Sequence, residues 1–224
     1  MRILLTHHAP LRHLPPGWFA WHLAQALAAA GHEVRLLVGD WEHRFGEPLD
    51  VERVVCGDDP NADLTFSLPR FTSEDPASSR ATFAELTDGQ LARYRDCQRR
   101  RLDNLILHFD PHMIHCQHVW LLGQLALESG VPYVLSAWEA EFIDLDARFR
   151  PLAEQAAENA GRIYLADEPT RRRMQSTFDL PEERLETLAG AQRITDAVAD
   201  PIAAEQVAAE LAASYQQVLS ERFG

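Results

Sequence analysis

The sequence predicts an α/β fold: a doubly wound, Rossmann-like parallel sheet. Three observations carry this. The first forty residues read as one βαβ unit. Short, fully apolar runs recur down the chain, as strands do when a parallel sheet is covered on both faces. Between those runs lie stretches with helical spacing, and this alternation is the signature of the class.

The elements follow in order. Arg2 to Thr6 is the first strand, and His7–Gly17, with Pro10, Pro15 and Pro16, is a loop. Trp18 to Ala30 is a helix stopped by Gly31, and Val34 to Val38 is the second strand. A right-handed crossover puts the His7–Gly17 loop at the carboxyl edge of the sheet, where open α/β sheets bind ligands. Val51 to Cys56 is a third strand; Gly57 to Ser79 is irregular, a lid or binding loop, or else a disordered surface excursion. Arg80 to Phe109 reads as a long helix that Gly89 divides, stopped by Asp110-Pro111; its Arg99-Arg100-Arg101 run is a solvated face.

His112 to Cys116 is the fourth strand, with Gln117 and His118 at its carboxyl end, and Trp120 to Ser129 is a helix. Tyr133 to Ser136 is the fifth strand, followed by a loop from Ala137 to Phe142. Phe149 to Asn159 is helical, Arg162 to Leu165 a sixth strand, and Asp167 to Phe178 a helix with Asp167 as its N-cap. Leu185 to Leu188 is a last short strand. Pro201 to Phe223 is a helix with Val207, Leu211, Tyr215, Val218 and Leu219 as its buried stripe.

Composition excludes several function classes. The 224 residues include 46% hydrophobic ones, with no apolar run long enough to cross a membrane. The net charge of −13 suits a soluble protein and disfavours binding to nucleic-acid backbone. All 21 basic residues are Arg, so no phosphate loop with its Lys and no lysine Schiff base can form. Cys56, Cys97 and Cys116 read as free thiols of a cytoplasmic protein. No glycine fingerprint for a dinucleotide follows the first strand, and Ser136 lacks the setting of a hydrolase nucleophile.

Three stretches together resemble one family. Met1-Arg-Ile-Leu-Leu, a Pro/Gly loop and Leu23-Ala-Gln-Ala-Leu-Ala-Ala-Ala-Gly31-His32-Glu33-Val34 resemble the opening of family 4 glycosyltransferases of the GT-B fold. Phe109-Asp-Pro-His-Met-Ile-His115-Cys-Gln-His118-Val-Trp120 resembles their D-P-D-x-I-H-x-H-x-x-W segment. Gly130-Val-Pro132-Tyr-Val-Leu-Ser136-Ala-Trp138-Glu139 resembles their G-x-P-x-V-x-T-x-H-G strand and loop, with Trp138 in place of His and Glu139 in place of Gly.

The resemblance covers roughly residues 1–190, the family's N-terminal, acceptor-side domain. It implies a linker at 191–200 and, at 201–224, a C-terminal helix that packs back on the same domain. The donor-binding second domain has no counterpart in these residues, nor has its phosphate-holding Lys. The implied function is the acceptor-binding half of a glycosyl transfer from a nucleotide-sugar donor to a sugar or glycan acceptor. The donor half would come from a partner chain or from self-association. The alternative is a non-catalytic binding or scaffold module. The resemblance makes His118 the catalytic candidate and Gly17, Trp18, Trp138 and Glu139 the substrate-lining residues. It implies no cofactor and no metal.

Two constellations stand beside the resemblance. His112, His115 and His118 are spaced by three on a strand and so do not share a face, which argues against a metal site; His115 reads as a satisfied strand histidine. Glu139, Glu141, Asp144 and Asp146 read either as a solvated acidic loop or as carboxylates for acid–base work.

Overall fold

In the structure, a computed structural model, residues 1–44, 46–71, 81–143, 145–195 and 200–223 are described. The apolar runs become β1 (Arg2–His7), β2 (Glu33–Asp40), β3 (Asp50–Val55), β4 (Met113–Cys116), β5 (Tyr133–Ala137), β6 (Ile163–Leu165) and β7 (Leu185–Thr187). They form one seven-stranded sheet in the order β3-β2-β1-β4-β5-β6-β7, with every pairing parallel. The helices are α1 (Pro15–Ala29), α2 (Asp88–Phe109), α3 (Leu122–Ser129), α4 (Ala140–Ile143), α5 (Arg150–Asn159), α6 (Glu168–Thr177) and α7 (Pro201–Phe223).

Side chains alternate across the strands and so divide the core in two. Ile3, Leu5, Leu36, Val38, Met113 and Val134 pack with Phe19, Leu23 and Leu27 of α1 and with Val207, Leu211 and Tyr215 of α7. Leu4, Leu37, Val54, Ile114, Leu135 and Ile163 pack on the opposite face against α2, α3 and α5. A strand buried on both faces has no polar side to show, hence the unbroken apolar runs.

The long helix expected from Arg80 to Phe109 is divided, but not at Gly89. Phe83–Glu85 is a single 3-10 turn, and α2 begins at Asp88, with Gly89 inside its first turn. Two capping boxes set the break. Thr82 N donates to Glu85 Oε2 at 2.6 Å, and Thr87 N donates to Gln90 Oε1 at 3.0 Å while Gln90 N donates to Thr87 Oγ1. Asp110, at φ +49°, ends α2. The expected start at Arg80 lies outside the described residues.

Arg101 of α2 pairs with Glu52 and Asp63, and Arg95 and Arg99 pair with Glu128, so this basic face is half-exposed and ion-paired. A short helix, α4, occupies the expected Ala137–Phe142 loop. Within 191–200, Ala191–Ile194 is a 3-10 turn with Ala191 and Ile194 buried. The α7 helix lies along α1.

The strand order reverses between β1 and β4, and this switch point positions the site. Thr6 is paired with Cys116, and Gln117 N donates to Thr6 O at 2.9 Å. The next residues of both strands, His7 and His8 on one and Gln117 and His118 on the other, therefore meet at the carboxyl edge.

Candidate functional site

His118 stands just past the end of β4 and is 2% exposed. Its Nε2 lies 3.0 Å from His7 Nδ1, and the two rings stack with centroids 4.9 Å apart. Its Nδ1 lies 3.2 Å from Glu141 Oε1, a close approach not aligned as a hydrogen bond. Glu141, on α4, is held by two backbone donors: Val119 N to Oε2 at 2.8 Å and Trp138 N to Oε1 at 3.1 Å. Four residues of helix are enough to turn this carboxylate inward, back over the end of β4.

The reading of a solvated acidic loop is therefore corrected at Glu141, which is buried. Glu139 is exposed; Asp146 caps the following turn through Arg148 N at 2.8 Å; Asp144 lies outside the described residues.

His8 lies on the other side of β1. Its Nδ1 faces the Tyr94 hydroxyl at 2.9 Å and its Nε2 faces Trp120 O at 3.1 Å. A carbonyl only accepts, so Nε2 carries the proton and Nδ1 accepts from Tyr94. Gln98 Nε2 donates to the same hydroxyl at 3.1 Å. This chain is closed and neutral, and it fixes one ring of the cluster.

Burial sets the electrostatics. It pushes His118 down to about 3 and holds His7 and His8 well below the ordinary histidine value, with His118 lowering both further. Burial also pushes Glu141 well above the ordinary carboxyl range, against the pull of its two backbone donors. All three imidazoles are neutral at pH 7, and the carboxyl gains a proton more readily than they do.

A small cavity of about 40 Å³ adjoins the cluster, lined by His7, His8, His13, Trp41, Arg70 and Phe71 among others. It has room for water but not for a sugar ring. Phe71 forms one wall: its ring lies 4.4 Å from the His118 ring and 5.5 Å from His8. Phe71 ends the described part of the irregular segment; residues 72–80 lie outside it.

The sequence-derived candidates are spread around this edge. Gly17 is buried in the first turn of α1; a Cβ there would meet Pro10 O at 2.7 Å and His7 Nε2 at 3.4 Å. Trp18 is half-buried and stacks on His22 with centroids 5.5 Å apart. Trp138 turns into the core against Phe19, and its buried Nε1 has no hydrogen-bond partner among the described residues. Glu139 points to solvent.

The three strand-4 histidines part company. His112 accepts from Arg2 N, and His115 contacts Tyr215 at 2.6 Å and Ser136 at 2.8 Å in the core. Only His118 reaches the site. Among the described residues no group of three side chains is placed to hold a metal ion. His7, His8 and Glu141 are the members that the motifs did not single out as site residues. The strand register brings the two histidines in, and Glu141 had been offered only as one of four acidic residues that read either as a solvated loop or as carboxylates for acid–base work.

Two backbone positions near the site are strained: Arg12 at φ +60° and Leu121 at φ +51°. Such residues cost on the order of 1–3 kcal/mol and persist where surrounding contacts hold them. Arg12 is held by Glu47 at 2.8 Å and by stacking over Trp21.

A family described as a glycosyl transferase 4-like domain matches residues 16–190. No curated protein sequence matches the chain. Among solved structures it is similar to sucrose-phosphate synthase from Thermosynechococcus elongatus: TM-score 0.52, 12% identity, 84% of this chain and 47% of that one. A two-segment fragment of the same protein matches over 97% of this chain and 99% of the fragment, at 15% identity and TM-score 0.51. The UDP-GlcNAc 2-epimerase of Methanocaldococcus jannaschii matches at TM-score 0.52 and 8% identity, over 85% of this chain and 47% of that one. This chain thus spans about half of the two full-length structures, and at these identities the likeness carries the fold alone.

Proposed function

The chain belongs to the glycosyl transferase 4-like domain family, and from that premise we propose that it is the acceptor-binding half of a glycosyl transfer from a nucleotide-sugar donor. The observation that carries this reading is the cluster at the switch point. Two imidazoles and a carboxyl are in contact there, under the β1–α1 loop, and no lysine or glycine-rich phosphate cradle accompanies them. Such a set suits a neutral hydroxyl group better than a diphosphate. His118 is the acceptor-side residue in this reading; of the expected lining residues, Gly17 and Trp18 stand at the start of α1 and Glu139 is exposed, whereas Trp138 is turned into the core.

The donor half lies outside these residues, on a further segment, a partner chain or a second copy. No resident cofactor or metal is required. A cytoplasmic setting goes with three buried, unpaired thiols. Among the described residues no helix is long and apolar enough to cross a membrane.

A second reading, a binding or scaffold module without chemistry, is favoured by one observation: His7, His8 and His118 are each at most 2% exposed. A thermal-shift panel of nucleotide sugars and of free mono- and oligosaccharides separates the two, since a ligand at about 100 times its Kd stabilises by about 2.7 kcal/mol. The expected outcome is a rise in Tm with one class of saccharide and none with nucleotide sugars. A rise with a nucleotide sugar would overturn the acceptor-side assignment, and no rise with any of them would leave the scaffold reading.

A further inference from the structure

We propose that the outer face of α7 is a self-association surface. A second copy of this chain lies on it antiparallel, and Ile202 of each copy sits in an apolar groove beside Phe223 of the other. None of this rests on the acceptor reading, which concerns the switch-point edge.

Val207, Leu211 and Val218 turn one side of α7 into the core. On the opposite side, steps of four and three residues lead from Ile202 to Phe223, the spacing of a seam between paired helices. Every residue on this seam is exposed and none is charged, in a chain of which 25% is charged. Its two ends are apolar: Ile202 is 65% exposed and Phe223 74%. Among the described residues, the remaining large hydrophobic side chain so exposed is Leu107. Single apolar side chains at a surface are ordinary; two of them joined by an uncharged helix face mark an interaction surface.

An apolar groove of about 510 Å³ adjoins one end of the seam, lined by Met1, Pro111, Pro132, Leu219 and Phe223 among others. At 1.5 Å of rise per residue Ile202 stands about 30 Å away along the helix, so it cannot fill the groove of its own copy. A projection at one end of a face and a recess at the other are what a twofold axis can bring together twice. With the axis near Ala213, Ile202 meets Phe223, Gln206 meets Ser220, Ala209 meets Gln216, and Ala213 meets its own counterpart. The helices approach closely at the axis, where both side chains are small, and the apolar contacts lie at the two ends.

Charge selects the antiparallel order. In a parallel pair, Glu205 on one flank of the seam would face Glu210 on the other flank of the second copy, twice over. In the antiparallel pair Glu205 comes opposite Leu219 and Glu210 opposite Gln217, and no like charges meet. Two facing helix surfaces about 35 Å long and about 10 Å wide bury on the order of 700 Å². The two occupied grooves bring this toward the roughly 1,200 Å² at which specific interfaces begin, which suits a reversible dimer. The net charge of −13 on each copy opposes association, so the dimer strengthens as salt rises.

Sedimentation velocity of the full chain, from about 1 μM to about 500 μM at physiological salt, reads the dimer directly. The expected result is a shift from monomer to twice the mass as concentration rises. Ile202→Glu and Phe223→Glu, both at exposed positions, are each expected to raise the dissociation constant about tenfold or more with the melting curve unchanged. Cross-linking reads the order of the helices. Ala213→Cys is expected to form a disulfide dimer under mild oxidation and Ile202→Cys is not; Cys56, Cys97 and Cys116 are buried and do not compete. A chain that stays monomeric throughout would overturn the proposal and leave the face to a helix of another protein. A dimer indifferent to both glutamate variants would overturn it by placing the contact elsewhere, and a disulfide dimer through Ile202→Cys would overturn the antiparallel order.

Discussion

Phe71 packs directly on His118, with ring centroids 4.4 Å apart. Its ring packs on His118, His8, Phe83 and Trp120, so the imidazoles lie beneath an aromatic cover. The segment behind it is tied to the fold by two isolated bridges, Cys56 with Leu64 and Arg70 with Thr82, in place of a strand ladder. Phe71→Ala removes a half-buried ring at a cost of roughly 1–3 kcal/mol in stability. It also uncovers His118 and enlarges the cavity beside it. The rate at which diethyl pyrocarbonate modifies His118, followed by peptide mass mapping, is expected to rise about tenfold or more. An unchanged rate would mean that the β1–α1 loop, not Phe71, shields the ring.

At the scale of elements, α7 is seated by the same close packing that kept it legible. Pro201 at its start and the stripe Val207, Leu211, Tyr215, Val218 and Leu219 were readable from the chain; the first four are buried against α1 and the sheet, and Leu219 is only partly buried. Gly161, which precedes β6, is the contact at its far end: a Cβ there would fall 2.3 Å from Val218 Cγ1. Gly161→Ala therefore pushes α7 away or forces Val218 out of its rotamer, at about 1–3 kcal/mol. Chemical denaturation is expected to show that loss, and Gly161→Ala combined with Val218→Ala should recover part of it. A single variant as stable as the parent would show that α7 is loosely held.

What the chain hid at this scale has physical causes. Helix α4 has only four residues, too few for a period, and Thr82 and Thr87 broke a helix whose apolar spacing ran straight through them. The same holds for the site. His118 was readable from a local motif, but His7 and Glu141 reach it only through the pairing of β1 with β4 and the turn of α4. Those are long-range facts that no window of sequence contains.

Across the whole molecule the buried histidines couple the fold to pH. His7, His8, His115 and His118 are all neutral and buried, the last two with values near 3. A histidine that titrates near 6.5 when unfolded and far lower when folded lets the unfolded state bind the extra proton. Stability therefore falls as pH drops below about 6.5, by up to about 1.4 kcal/mol per pH unit for each histidine. Glu141 acts the other way: its folded value is raised, so its contribution is complete below the unfolded carboxyl value and is lost as pH rises through the folded one. One carboxyl offsets at most one histidine.

Protonation also relieves the net charge of −13, but that repulsion is spread over the surface and screened within about 8 Å at physiological salt. The histidines win. Between about pH 7.5 and about pH 5.5 the expected loss is on the order of 4 kcal/mol, a large share of an ordinary domain's stability. Melting curves at those two pH values and physiological salt should differ by roughly 10 °C, with the lower Tm in acid. A Tm within about 2 °C across that range would mean that the imidazoles take up protons without unfolding. The neutral, closed site on which the acceptor reading depends would then be wrong.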